Sequence, residues 1–264
     1  MNTTLEKGSL PDVSRLTFDE KKHAYTLDGK LLQGVTSIID GTSSKANLID
    51  WAANMAVDYV RDNSIPTELG RVVQPDTLEL ARKAHTRRKE SAGQKGTDAH
   101  ALVEEYIKWC LTDPTSKFSP NSVKDFEAIR PFIQWAQEND VRFIAAEQRL
   151  YSETHKFAGT CDFVYLDKDG KLTIGDLKTF PKMWSADPFI QMGAYSLAWA
   201  ELTGERPEQS VVVKMCDPED ERLRKYGGKA FAAYPRYALE EDEEMFLLRL
   251  KMYRYNENFV SPKE

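Results

Sequence analysis

The chain has 264 residues, of which 41% are hydrophobic and 30% charged, with a formal net charge of −6 at pH 7. That length can bury a sizeable core as one compact enzyme with an inserted lobe, and the acidic sum argues against a protein dedicated to coating duplex, which draws on clustered lysine and arginine. It leaves room for a nuclease, because a local basic stripe can meet a phosphate backbone on an acidic protein.

No stretch is apolar and long enough to span a bilayer. Met1-Asn2-Thr3-Thr4-Leu5-Glu6-Lys7 has no apolar run of the signal-peptide kind. Cys110, Cys161 and Cys216 stand apart, without the paired spacing of a zinc or iron–sulfur site. The expectation is a reduced cytoplasmic compartment, no iron–sulfur cluster and no membrane partner.

Along the chain, Arg15-Leu16-Thr17-Phe18 and Ala24-Tyr25-Thr26-Leu27 read as a hairpin, followed by Asp28-Gly29 as a second turn. After Gly34-Val35-Thr36-Ser37-Ile38-Ile39, apolar residues recur at helical spacing from Leu48 to Val60, which places Trp51 in a core rather than on a base-stacking platform. A second helix is expected between Thr77 and Lys95, rich in Arg82, Lys83, His85, Arg87, Arg88 and Lys89. A solvated charged face is the default reading of that run, and phosphate contact by Arg87 and Arg88 is the functional one.

Gly96 to Ile107 reads as a further helix with Thr97 as N-cap and a buried stripe of Ala99, Leu102, Val103, Tyr106 and Ile107. His100 and Glu104 lie one turn apart beside that stripe, so an imidazole and a carboxylate can reach one metal site. Taken alone, a histidine at such a position is more often a satisfied boundary residue. A helix from Val123 to Gln137 leads to a strand, Val141 to Tyr151, in which Glu147 faces either solvent or the site.

The stretch from Gly159 to Lys178 is a β-hairpin by pattern. β-Branched and aromatic residues flank a turn in which Gly170 takes the left-handed position. With Asp167 opposite Lys171, the pairing places Asp162 across from Asp176, on the face of Val164, Leu166, Leu172 and Ile174, with Lys178 on the same face. Facing carboxylates repel. A hard divalent cation offsets that repulsion, and magnesium takes one or two carboxylates of this kind. Beyond the hairpin, Asp187-Pro188 reads as N-cap and first helical residue, and the helix runs from Phe189 to Leu202 until Gly204 closes it. Gln191 and Tyr195 share one face of it. Val211 to Met215 is a buried strand, Lys229 to Tyr237 another, and Glu240 to Tyr255 an amphipathic closing helix.

Gly159-x-x-Asp162 followed by Asp176-Leu177-Lys178 resembles the core of the PD-(D/E)XK nucleases, with Cys161 where the motif's name has proline. Gly96-Thr97-x-x-His100-x-x-x-Glu104 and Gln191-x-x-x-Tyr195 resemble further motifs of the RecB-type and phage exonuclease branch. The resemblance implies an α/β, restriction-endonuclease-like core of helix, three-stranded mostly antiparallel sheet, helix and strand over residues 96–264, behind a hairpin and mainly helical N-terminal lobe over 1–95. It implies a magnesium- or manganese-dependent DNA exonuclease in the bacterial cytoplasm, phage-encoded or working beside a phage or host recombination or replication protein.

The resemblance also assigns parts. Asp162, Asp176, His100, Glu147 and the Leu177 carbonyl hold metal, and Lys178 positions the nucleophilic water. Glu104 and Gln191 support the site, and Tyr195 either supports neighbouring residues or lies beside the bound strand, where a threaded strand stacks on it. The rival readings are a structure- or site-directed endonuclease and a DNA-binding module that has lost cleavage. An intact acid-acid-lysine set disfavours the second.

Overall fold

The computed structural model describes residues 8–260. Met1–Lys7 and the side chain of Lys95 lie outside the described residues. Contacts divide the chain into two units, one running up to Thr42 and resuming at Ala99, the other being Ser43–Asp98.

The first unit is built on a mixed eight-stranded sheet. It begins with β1 (Leu16–Asp19), β2 (Ala24–Leu27) and β3 (Lys30–Gly34), an antiparallel meander, and continues through helix α1 (Val35–Thr42). The expected hairpin is present. Its sequel Lys30–Gly34 is a third strand that pairs in parallel with Phe157–Ala158 in the middle of the protein. The meander therefore belongs with the core rather than with the helical lobe, and the expected division at 95/96 differs from the observed one for that reason.

The second unit holds α2 (Ala46–Asn63), a short hairpin of β4 (Ile65–Thr67) and β5 (Gly70–Val72), helix α3 (Pro75–Arg82) and the start of α4 (Ala84–Thr112). The hairpin has no counterpart in the sequence reading. The expected helix boundary at Thr97 is also absent, because α4 continues unbroken for 29 residues. Thr97 lies inside it with its Oγ1 donating to the Gly93 carbonyl, 3.2 Å away. Residues on both sides of Gly96-Thr97 favour helix, so the capping signal is overridden and the hydroxyl bonds back to the previous turn.

The core strands follow α5 (Val123–Glu138), whose N-cap Ser122 accepts from the Asp125 amide. They are β6 (Arg142–Ser152), β7 (Phe157–Leu166), β8 (Leu172–Lys178), β9 (Gln209–Met215) and β10 (Phe231–Arg236). Between them run α6 (Asp187–Thr203) and α7 (Glu221–Tyr226), and α8 (Leu239–Val260) ends the described chain. α6 starts one residue earlier than expected, with Ala186 as N-cap, and ends at left-handed Gly204 as expected. β6, β7 and β8 pair antiparallel as expected, and the whole sheet is mixed because β3 joins β7 and β9 joins β8 in parallel.

The sheet is packed on both faces. One cluster gathers Val35, Ile38, Val164, Leu172, Ile174, Trp199 and Phe246 on the side of α1, α6 and α8. The other gathers Val103, Ile107, Phe132, Phe163, Leu177 and Val213 on the side of α4 and α5. β9 is buried along all seven of its residues, with Val211-Val212-Val213 as its apolar run between polar Gln209-Ser210 and Lys214. Among the described residues no helix is long and apolar enough to cross a membrane.

Candidate active site

The sheet forks at the site. β6 pairs with β7 along nearly its whole length, whereas β8 covers the other edge of β7 only from Phe163 to Leu166 and β3 covers it only at Phe157–Ala158. Gly159–Asp162 lies in the gap. The hairpin register is the one expected, with Leu166 opposite Leu172 and Phe163 opposite Gly175, and Gly170 has φ +73° at the turn.

The face assignment differs by one residue. Cys161, Val164 and Leu166 pack in one cluster while Phe163 and Tyr165 pack in the other, so the alternation slips at Asp162–Phe163. Glu147 falls between the pairs Ala146–Phe163 and Gln148–Cys161, hence opposite Asp162, and it holds a left-handed backbone with φ +48°. A non-glycine residue in that region is uncommon and sterically costly. Asp162 and Glu147 thereby fall where the alternation breaks, with His100 and Glu104 of α4 beside them.

The carboxylates on this arm are crowded. Asp162 Oδ2 accepts from the Leu177 amide at 2.6 Å and lies 3.2 Å from His100 Nε2. Burial, with Asp162 and Glu104 as neighbours, pushes the Glu147 carboxyl up to about 7 against the opposing pull of His100 and Lys108. Glu104 pairs with Lys108 one turn along α4. The expected His100–Glu104 helix face therefore does meet Asp162 and Glu147.

The other arm is more ordered. Lys178 Nζ lies 2.6 Å from Asp176 Oδ2 and donates to Gln191 Oε1 at 3.1 Å, and Gln191 Nε2 donates to Tyr195 Oη at 2.9 Å. Tyr195 packs directly on Gly159, where an added Cβ would come within 2.7 Å of its ring. The glycine of Gly-x-x-Asp is thus the seat of the tyrosine of Gln-x-x-x-Tyr. Burial pushes Asp176 up to about 6, with Asp162 adding to the rise and Lys178 opposing it. Burial alone would depress Lys178, but Asp176 and Asp162 hold its pKa above the ordinary lysine value, so it stays charged.

Tyr195 is 1% exposed, so of its two expected roles stacking on a strand is excluded and support is what it gives, its hydroxyl accepting from Gln191. Arg87 lies in the Ser43–Asp98 unit, where its guanidinium stands 4.9 Å over the Tyr59 ring and donates to the Leu80 carbonyl, and Arg88 is exposed on the same helix. Leu177 contributes its amide to Asp162, and its side chain is fully buried.

Among the described residues no three His, Cys, Asp or Glu side chains already converge as a ready-made ligand set. The chemistry nonetheless suits a hard cation. Carboxylates on both arms are driven toward protonation by burial and mutual repulsion, and Asp176 Oδ2 is buried with only a poorly directed contact to Lys178. A divalent ion taking oxygen ligands relieves both.

Sequence reading passed over Lys214. It is 1% exposed, neighbours Lys178 across the β8–β9 ladder, and its ammonium donates to the carbonyls of Pro181 and Lys229. The signal was a charge inside Val211-Val212-Val213-Lys214-Met215, which a buried strand tolerates only with partners.

No family model and no curated protein matches the chain. Among solved structures it is similar to LHK-Exo in complex with dAMP, at 14% identity, covering 61% of this chain and 91% of that one, with a TM-score of 0.27. It is similar also to the alkaline exonuclease LHK-Exo from Laribacter hongkongensis, at 12% identity over the same shares with a TM-score of 0.26. A phage-related exonuclease from Haemophilus somnus 129PT is 13% identical over 61% of this chain and 83% of that one, with a TM-score of 0.30. Likeness at these scores carries no argument about this chain, and the site stands on its own side-chain geometry.

Proposed function

We propose that the protein is a divalent-metal-dependent deoxyribonuclease that hydrolyses phosphodiester bonds from a free end, using magnesium or manganese. The observation that carries this reading is the lysine held between Asp176 and Gln191 beside the repelling carboxylates of the fork. Asp162, Asp176, Glu147 and His100, with the Leu177 carbonyl, would hold the ion. When bound, the ion supplies a Lewis acid at the phosphate and eases deprotonation of water.

The chain's own residues supply the rest. An ammonium has three N–H donors. Gln191 accepts one from Lys178 and the Asp176 carboxylate holds the charge beside it, which leaves donors for the attacking water or a non-bridging phosphate oxygen. Gln191, anchored by Tyr195, prevents the ammonium from folding wholly onto Asp176. The carboxylates place negative charge where only a cation or a proton can answer it, which couples cleavage to metal loading.

The choice of a free end rests on the basic run from Arg82 to Lys95, which leads directly into the helix that carries His100 and would hold a threaded strand by its phosphates. The test is incubation of linear DNA and covalently closed single- and double-stranded circles with magnesium, manganese or chelator. Degradation of linear DNA alone, and only with metal, is the expected outcome. Rapid loss of the circles would make the protein an endonuclease, and no cleavage of any substrate would reduce it to a binding module.

A further inference from the structure

The chain leaving Lys178 crosses residues 179–186 before entering α6. Buried Lys214 grips this connection at the Pro181 carbonyl and, with the same ammonium, grips Lys229 beyond α7. The staple brings two otherwise separate segments side by side. On them sit Trp184, 58% exposed, and Tyr226, whose rings meet edge-on at 4.9 Å and 88°. Lys182 lies 5.2 Å from the centre of the indole and Lys225 5.5 Å from that of the phenol. The indole stays largely exposed although it packs on Tyr226, and each of the two rings has an exposed lysine over it.

We propose that Trp184, Tyr226, Lys182 and Lys225 form a holding platform for single-stranded DNA immediately beyond the catalytic lysine. This rests on the nuclease reading for its purpose, though not for its chemistry. Aromatic faces stack any base, and lysines over them reach the phosphates of the same strand, which together hold a strand without reading its sequence. Duplex offers no free base faces, so the platform selects unpaired nucleotides. Lys214 is a positioning residue here, because it fixes both segments without touching the strand.

The test measures binding with calcium in place of magnesium, so that no strand is cut. The probes are a short oligothymidine and a duplex of equal length. Oligothymidine should quench tryptophan fluorescence in the wild type, and that component should vanish in Trp184→Phe while affinity stays within about twofold, since phenylalanine still stacks. Trp184→Ala should bind oligothymidine about tenfold more weakly, with duplex affinity nearly unchanged. Lys182→Gln should reduce the steepness of the salt dependence by nearly one phosphate contact.

Trp184 and Lys182 are exposed, so these variants should melt with the wild type. Unchanged oligothymidine affinity in Trp184→Ala, or equal losses on duplex and single strand, overturns the platform. If the wild type cuts no DNA with any metal yet shows the Trp184-dependent quenching, the nuclease reading fails and the platform stands.

Discussion

The two arms of the fork solve different problems. On the β8–α6 arm, Asp176, Lys178, Gln191 and Tyr195 form a continuous chain of contacts that ends on a packed glycine. On the β6–β7–α4 arm, Asp162, Glu147, Glu104 and His100 crowd together, with a left-handed backbone at Glu147 and a break in face alternation at Asp162 opposite it. One arm is ordered by its own hydrogen bonds. The other holds repulsion that only an added positive charge relieves. Under the proposed nuclease reading, directing the ammonium and holding a metal ion would fall to different elements, joined where the Leu177 amide donates to Asp162.

The sharpest way to break this division is to remove a charge from each arm. Lys178→Ala, Asp176→Asn and Asp162→Asn should each lower kcat on linear DNA by about a thousandfold or more, since each removes a group facing the phosphate. All three should fold, which circular dichroism checks. Substantial activity in any of them ends the mechanism.

Smaller effects separate the arms. Gln191→Leu leaves Lys178 with Asp176 alone, so kcat should fall about 10- to 100-fold while the metal concentration for half-maximal rate stays unchanged. Its partner Tyr195→Phe should reproduce part of that loss, because Gln191 then loses the hydroxyl that accepts its amide. His100→Ala should do the reverse, raising the half-maximal metal concentration about tenfold with recovery at high manganese, which accepts nitrogen more readily. If Gln191→Leu instead shifted the metal titration, the arms would not be separable.

The ordered arm was the more legible in the sequence. Turn chemistry set the register of β7 and β8, and helical spacing alone brought Gln191 and Tyr195 onto one face. What spacing did not reveal is burial. Tyr195 reads as an exposed stacking ring until Gly159 is seen to be its seat. On the crowded arm, strict alternation predicted the wrong face for Asp162, because the alternation breaks opposite left-handed Glu147, a local backbone feature that no period of two encodes. Thr97 misled in the same way: a capping residue is a cap only if the helix begins there. Lys214 was visible as a misplaced charge, but its partners Pro181 and Lys229 come from distant turns.

The mildest expected effect concerns stability without metal, and its sign follows from the crowded carboxyls. Asp176 and Glu147 have folded pKa values raised to about 6 and about 7. In the unfolded chain such groups ionise near pH 4. Between about pH 4 and 7 the folded protein therefore holds protons that the unfolded chain has released, and stability falls as pH rises through that window, then levels off. Carboxyls held low, such as Asp167 at the hairpin turn and Glu201 beside Ser152, act in the opposite sense but below the window. In chelator, the melting temperature should drop by roughly 5 °C from pH 4.5 to pH 7.5. Asp176→Asn should flatten the slope and raise the value at pH 7.5, because the asparagine carries no charge to desolvate. Magnesium should restore the wild type most at the high end, where the carboxylates are ionised and a cation binds them best. A metal-free melting temperature that rises steadily across the window would mean that the fork carries no stored repulsion, and the case for a cation between its arms would fall with it.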